Sequence, residues 1–92
     1  MRIYLACFDI EDDKKRRKLS NLLLEYGDRV QYSVFEISLK DENELHKLRK
    51  KCSKYTEEAD SLRFYWLNKE SRKHSQDVWG NPIAVFPAAV LL

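Results

Sequence analysis

Asp9 ends an apolar run, Ile3 to Ile10, and is followed by three acids and five consecutive cations, Glu11-Asp12-Asp13-Lys14-Lys15-Arg16-Arg17-Lys18. An acid at a strand end with cations beside it is an arrangement that can hold a divalent metal against a phosphate: the carboxylate offers hard oxygen ligands and the bases neutralise the anion. One aspartate is a thin magnesium site, since such ions take one or two carboxylates together with waters and substrate phosphate. A two-fold axis would pair Asp9 with its symmetry mate and place two carboxylates on one shared ion. The alternative role is structural: a carboxylate that starts from an apolar face needs helix N–H groups or an ion pair, with Arg29 the available partner. Glu11, Asp12 and Asp13 stand directly before a helix, where capping and the helix dipole favour acids without any metal. His46 and His74 have no convincing partner and read as solvated surface residues, so no protein base is identifiable.

Those residues must be positioned by a small set of elements. Ile3 to Ile10 is apolar on both sides of its alternation, the pattern of a central strand buried on two faces. Asp12 or Asp13 can cap a helix whose Leu19, Leu22, Leu23 and Tyr26 form one stripe, with Gly27 as its C-terminal stop. At about 100° per residue, Lys14, Arg17 and Lys18 lie opposite that stripe, whereas Lys15 and Arg16 flank it at the end nearest Asp9, which makes Arg16 the better phosphate candidate. Val30, Tyr32 and Val34 alternate in one parity and Phe35, Ile37 and Leu39 in the other, so a break or bulge is expected between Val34 and Phe35. Asp41-Glu42-Asn43-Glu44 reads as a capping box opening a second helix, with Leu45, Leu48, Cys52 and Tyr55 on one stripe and an end near Glu58. Ser61 to Leu67 is an aromatic-rich strand, and Asn68 to Gln76 has no periodicity and reads as loop. Asp77-Val78-Trp79 and Ile83 to Phe86 read as short strands, with Pro87 forcing an edge or a bend.

Strand, helix, broken strand, helix, strand is the order of an α+β ferredoxin-like sandwich, an antiparallel sheet with two helices on one face. Because Tyr4, Phe8, Phe64 and Trp66 leave no clean polar parity in the central strands, the other face needs a cover, and a sheet-to-sheet homodimer is the economical one. Residues 1–92 form a single domain with a thin core, which dimer burial would supplement. The last segment, 77–92, is an apolar strand or tail suited to the dimer or to a partner interface.

Seventeen basic residues nearly balance fifteen acidic ones, so the net charge of +2 does not mark a nucleic-acid binder and distribution has to carry that argument. The cations gather at 14–18 and at Lys47, Arg49, Lys50, Lys51 and Lys54; the second group reads as a solvated helix face. Cys7 and Cys52 fall within an apolar strand and on a helix stripe, which suits buried free thiols in a reducing compartment. The opening residues lack a secretory pattern, and the longest apolar stretch, Ile83 to Leu92, is about half of a membrane span. The expectation is a cytoplasmic protein with no membrane partner.

Phe8-Asp9-Ile10-x-Asp12-Asp13 followed by the basic run, and then Arg29-Val30-Gln31-Tyr32-Ser33-Val34-Phe35-Glu36, resembles the small CRISPR-associated endonuclease family that forms the dimeric core of the spacer-acquisition complex. The resemblance covers roughly Met1 to Leu67 in order and spacing. It implies that Asp9 is the catalytic residue and a ligand to a magnesium ion shared across the dimer. It also implies that Arg16, Lys18 and Arg29, with Lys14, Lys15 and Arg17 beside them, bind nucleic-acid phosphate, and that Phe8, Ser33 and Phe35 shape the site. Two positions depart from the family: Phe8 stands where tyrosine is common, losing a hydroxyl, and Lys18 replaces a frequent arginine, trading a bidentate fork for a point charge. The partners implied are a second copy, the CRISPR integrase subunit, DNA and possibly RNA. The functions implied are a dimeric adaptor in spacer acquisition and a magnesium-dependent endonuclease; a toxin-like stand-alone ribonuclease of the same fold and a purely non-catalytic scaffold are the alternatives. The terminal strand either closes the monomer's sheet, crosses to the partner subunit, or docks on the integrase by strand addition.

Overall fold

In the computed structural model, which describes residues 1–85, the chain runs β1 (Arg2–Asp9), α1 (Asp13–Leu24), β2 (Gly27–Gln31), β3 (Val34–Leu39), α2 (Glu42–Ser53), β4 (Ser61–Leu67) and α3 (Lys69–Lys73). β1 is central, as its two-sided apolar pattern implies: it pairs antiparallel with β3 on one side and β4 on the other, in the sheet order β2-β3-β1-β4. This is the ferredoxin-like arrangement. Tyr4, Ala6, Phe8 and Ile10 point to one side and meet Leu19 and Leu23 of α1, Leu48 and Cys52 of α2, and Phe35, Ile37 and Leu39 of β3 in one core.

The helices start where the side chains dictate. The Asp12 carboxylate accepts the Lys15 N–H at 2.9 Å, satisfying one of the free donors of the first turn of α1. Asp41 does the same for Glu44, while Glu44 Oε1 accepts from the Lys40 N–H at 2.8 Å, so the box closes on the residue before the cap. α2 ends at Ser53, short of the expected Glu58. The chain then turns, with the Thr56 hydroxyl donating to the Cys52 carbonyl at 2.8 Å.

Four local expectations are corrected. Gly27 is not the helix stop: α1 ends through Glu25, in right-handed helical conformation, and Gly27 already belongs to β2. It is glycine because a Cβ there would overlap the Glu36 carbonyl oxygen and lie 2.6 Å from Ile37 Cα. The break in the Val30 to Leu39 stretch is a hairpin turn at Tyr32 and Ser33, with the register slipping between Arg29 and Gln31 so that Val30 is bulged. Asn68 to Gln76 contains α3, capped by Asn68 Oδ1 on the Ser71 N–H at 2.8 Å; five residues are too few for periodicity to reveal. Asp77 to Trp79 is a turn, because the Asp77 carboxylate accepts the Trp79 and Asn81 N–H groups at 2.8 and 2.9 Å and Gly80 takes φ +83°. Pro82 forms a single bridge with Gln76, and the tail from Phe86 onward lies outside the described residues.

Register also corrects the reasoning about the sheet's second face. Tyr4 lies opposite Trp66, Ala6 opposite Phe64 and Phe8 opposite Leu62, so the four aromatics share the helix side. The open side carries Leu5, Cys7 and Asp9 of β1, Val34 and Glu36 of β3, Arg63 and Tyr65 of β4, and Asp28 of β2. It is a mixed surface with an apolar middle.

Candidate metal and nucleic-acid site

Asp9 is the last residue of β1 and lies opposite Ser61 of β4, on the open side of the sheet. Strand parity puts it there with Leu5 and Cys7, and the end of the strand lets its carboxylate reach solvent, where it is exposed. Among the described residues it accepts no hydrogen bond and forms no ion pair, so neither the helix cap nor the Arg29 pair foreseen as its structural role exists. No three His, Cys, Asp or Glu side chains of the described residues gather into a metal-holding group. An exposed, unpartnered carboxylate has the hard oxygen donors that one ligand of a magnesium ion needs.

The two arginines of the motif sit on the other side of the sheet. Arg29 pairs across the hairpin with Phe35, a helix-side residue, and its guanidinium donates to the Ser20 hydroxyl of α1 at 2.8 Å. It also lies over the rings of Phe35 and Tyr32, at 5.2 and 5.3 Å. Arg16 donates to the Ile10 carbonyl at 2.7 Å, forms an ion pair with Asp13 one helical turn away, and lies 5.8 Å from the Tyr32 ring. The Tyr32 hydroxyl and the Asp13 carboxylate hold its pKa above the ordinary arginine value. Arg16 therefore ties the β1–α1 turn to the hairpin. Its guanidinium is committed within the protein, which the helical wheel alone did not reveal.

Between α1 and the hairpin the side chains of Arg16, Arg17, Ser20, Asn21, Arg29 and Tyr32 line an open cleft of about 360 Å³. Tyr32, 67% exposed at the hairpin turn, joins both arginines and is the residue that sequence reasoning missed. Its signal was present: an aromatic flanked by polar residues at a chain reversal has no core to enter. Phe8 and Phe35 are core residues whose rings stack at 6.1 Å, so they shape the site from beneath. Ser33 contributes its carbonyl, which accepts the Phe8 N–H at 3.1 Å and fastens the turn to the end of β1.

The remaining cations divide. Lys15 pairs with Glu57, whereas Lys14, Arg17 and Lys18 are exposed and have no ion-pair partner among the described residues. They form the part of the basic run that is free to meet an anion. The two histidines do not enter the site; His74 contacts Glu70 at 3.1 Å on α3. Burial pushes the Cys7 thiol up and the Cys52 thiol to about 11, and both are free cysteines. No helix among the described residues is long and apolar enough to cross a membrane.

Residues 1–74 match the family model described as CRISPR associated protein Cas2. A protein of Synechocystis sp. named CRISPR-associated endoribonuclease Cas2 3 is 45% identical over 83 residues, covering 89% of this chain and 88% of that protein. A protein of Thermus thermophilus named CRISPR-associated endonuclease Cas2 2 is 48% identical over 65 residues, covering 70% of this chain and 71% of its own. Among solved structures, a chain of a partial Cas6-RT-Cas1–Cas2 complex superposes with a TM-score of 0.83 at 49% identity, over 94% of this chain and 100% of that one. The crystal structure of Streptococcus pyogenes Cas2 at pH 6.5 follows the same fold with a TM-score of 0.71 at 28% identity, over 83% and 98% of the two chains.

Proposed function

The chain belongs to the CRISPR associated protein Cas2 family, and from that premise we propose that it serves spacer acquisition as a dimeric, DNA-binding adaptor for the integrase subunit. The observation that carries this reading is the set of cations on α1 that have no ion-pair partner among the described residues: Lys14, Arg17 and Lys18 project from a capped helix packed on the core. Such a surface tracks a phosphate backbone without reading bases. The similarity to a chain of a partial Cas6-RT-Cas1–Cas2 complex supports the integrase as partner.

A second reading, compatible with the first, rests on Asp9. Relatives at 45 and 48% identity are named endoribonuclease and endonuclease, and the Asp9 carboxylate has no structural duty among the described residues. In a sheet-to-sheet homodimer, Asp9 of each copy would hold a divalent cation such as magnesium. When bound, that ion supplies Lewis acidity toward a phosphodiester oxygen and an activated water. The chain's own part is to hold the two carboxylates at fixed strand ends and to keep the phosphate backbone on the cations of α1.

The test is a magnesium-titrated cleavage assay on single-stranded RNA and duplex DNA, with Asp9→Asn in parallel and spacer acquisition measured for both proteins. Asp9→Asn is expected to abolish metal-dependent cleavage while leaving the oligomer and DNA binding near normal, because the amide keeps the shape and loses the charge. Cleavage at the wild-type rate in Asp9→Asn would refute the Asp9 metal site. For the adaptor, acquisition should survive Asp9→Asn and fail when Lys14, Arg17 and Lys18 are all replaced by alanine.

A further inference from the structure

Tyr32 stands at the tip of the β2–β3 hairpin, 67% exposed, between the polar residues Gln31 and Ser33. A single exposed ring needs no explanation by itself, but this one forms a wall of the cleft beside α1 and is held there from two directions. The Ser33 carbonyl accepts the Phe8 N–H at 3.1 Å, which fixes the turn to β1. The Arg29 guanidinium, 5.3 Å from the ring, donates to the Ser20 hydroxyl of α1 at 2.8 Å and so ties the hairpin to the helix. The ring is a platform already in position, with no ordering cost left to a ligand that meets it.

The cleft around it is electropositive. Arg16, Arg17 and Arg29 line it with Asp13 as the single acid among the lining residues. Arg16 takes up Asp13, whereas Arg17 and Arg29 form no ion pair among the described residues. Two guanidinium forks without a carboxylate suit a phosphate, which they bind through paired N–H donors. Leu24, half exposed, gives the cleft a second apolar surface. At about 360 Å³ the space lies at the low end of the range for small-molecule sites, room for one nucleotide. It opens on the helix side of the sheet, whereas Asp9 lies on the other, so its occupant is a different group from the one at Asp9.

We propose that this cleft holds one unpaired nucleotide of a single strand, its base against the Tyr32 ring and its phosphate between Arg17 and Arg29. The inference rests on the reading that the chain binds nucleic acid, and it names the form of strand that the cleft selects. A base within a duplex is paired and stacked, and reaches Tyr32 only by being pulled out; a base of a free strand meets the ring without that cost. Lys14 and Lys18 do not line the cleft and meet the phosphates of either form. Because every base has a π face, the cleft favours single strands without favouring a sequence.

Fluorescence anisotropy with a labelled oligothymidylate, an abasic oligomer of the same length and charge, and a blunt duplex separates base from phosphate. The wild type is expected to bind oligothymidylate about tenfold more tightly than the abasic oligomer. Tyr32→Ala should erase that advantage, and Tyr32→Phe, which keeps the ring, should retain it. Arg17→Ala should weaken both oligomers alike and lower the slope of log affinity against log salt by about 0.7, since a phosphate contact is indifferent to the base. Equal wild-type affinity for the two oligomers, or an advantage that survives Tyr32→Ala, would overturn the proposal. If Tyr32→Ala lowers the melting temperature, Tyr32→Leu, which fills the turn without a π face, decides: loss of the advantage supports the cleft and its retention overturns it. Salt-dependent duplex binding with no base advantage sinks the cleft alone. A wild type that binds none of the three ligands sinks the nucleic-acid reading and the cleft with it.

Discussion

Arg16 and Lys18 stand two residues apart in one basic run and do different work. Arg16 spans the Ile10 carbonyl and the Asp13 carboxylate, while Lys18 reaches solvent with no ion-pair partner among the described residues. Arg16→Ala is therefore expected to lower the thermal unfolding midpoint, and Arg16→Lys should not restore it, since an ammonium cannot fork to both acceptors. Lys18→Ala should leave the midpoint unchanged, weaken duplex DNA binding for all sequences alike, and reduce the slope of log affinity against log salt by about 1. Melting curves and a salt titration separate the two; a Lys18→Ala protein with unaltered salt dependence would place the phosphate surface elsewhere.

At the scale of the elements, the cap of α1 carries a pH signature. Hydrogen bonding from the Lys15 N–H holds the Asp12 carboxyl below its ordinary value of 3.8, with nearby lysines adding to the effect. A depressed folded pKa contributes stability that is present above the unfolded value and lost as pH falls through the folded one. The α1 end should therefore weaken below about pH 4. Asp12→Asn, which caps without titrating, should flatten that part of an acid unfolding curve followed by circular dichroism. The hairpin has its own vulnerable point: Gly27→Ala forces a Cβ into the β3 backbone at Glu36 and Ile37, so urea unfolding should find it destabilised by about 3 kcal/mol or more. A loss under half that would mean the strands separate at little cost.

For the whole molecule, the described residues put two long helices on one side of the sheet and leave residues 82–85 beside Val30, Gln31 and Glu36 of the hairpin. Leu5, Cys7, Val34 and Tyr65 lie on the sheet's other side around a polar rim, a surface composition suited to a second copy. Light scattering at micromolar concentration should give a mass near twice the 11.0 kDa of one chain, and a value near one chain would exclude the dimer. Both proposed activities need that assembly. In those two proposals one Asp9 would supply half of a magnesium site, and one copy of α1 would supply one basic strip where an adaptor between integrase subunits would need two.

Local patterns were legible in the sequence because they are set by neighbours a few residues away. The two-sided apolar run made β1 central, the Leu19, Leu23 and Leu48, Cys52 spacings made two amphipathic helices, Asp12 and Asp41 marked where they start, and the order of elements implied the ferredoxin-like sheet. The motif around Asp9 and Arg29 pointed to the family in the same way. The sides of the sheet were not legible, because a one-residue change of register inverts every side chain and register depends on the partner strand. Only the pairing of Arg29 with Phe35, and of Asp9 with Ser61, separates the arginines from the aspartate on opposite faces. Tertiary structure likewise decided that Arg16 is pinned to Ile10, that Gly27 answers to Glu36, and that residues 82–85 line one cavity with Val30, Gln31 and Glu36, for each joins groups whose distance along the chain says nothing of their distance in space.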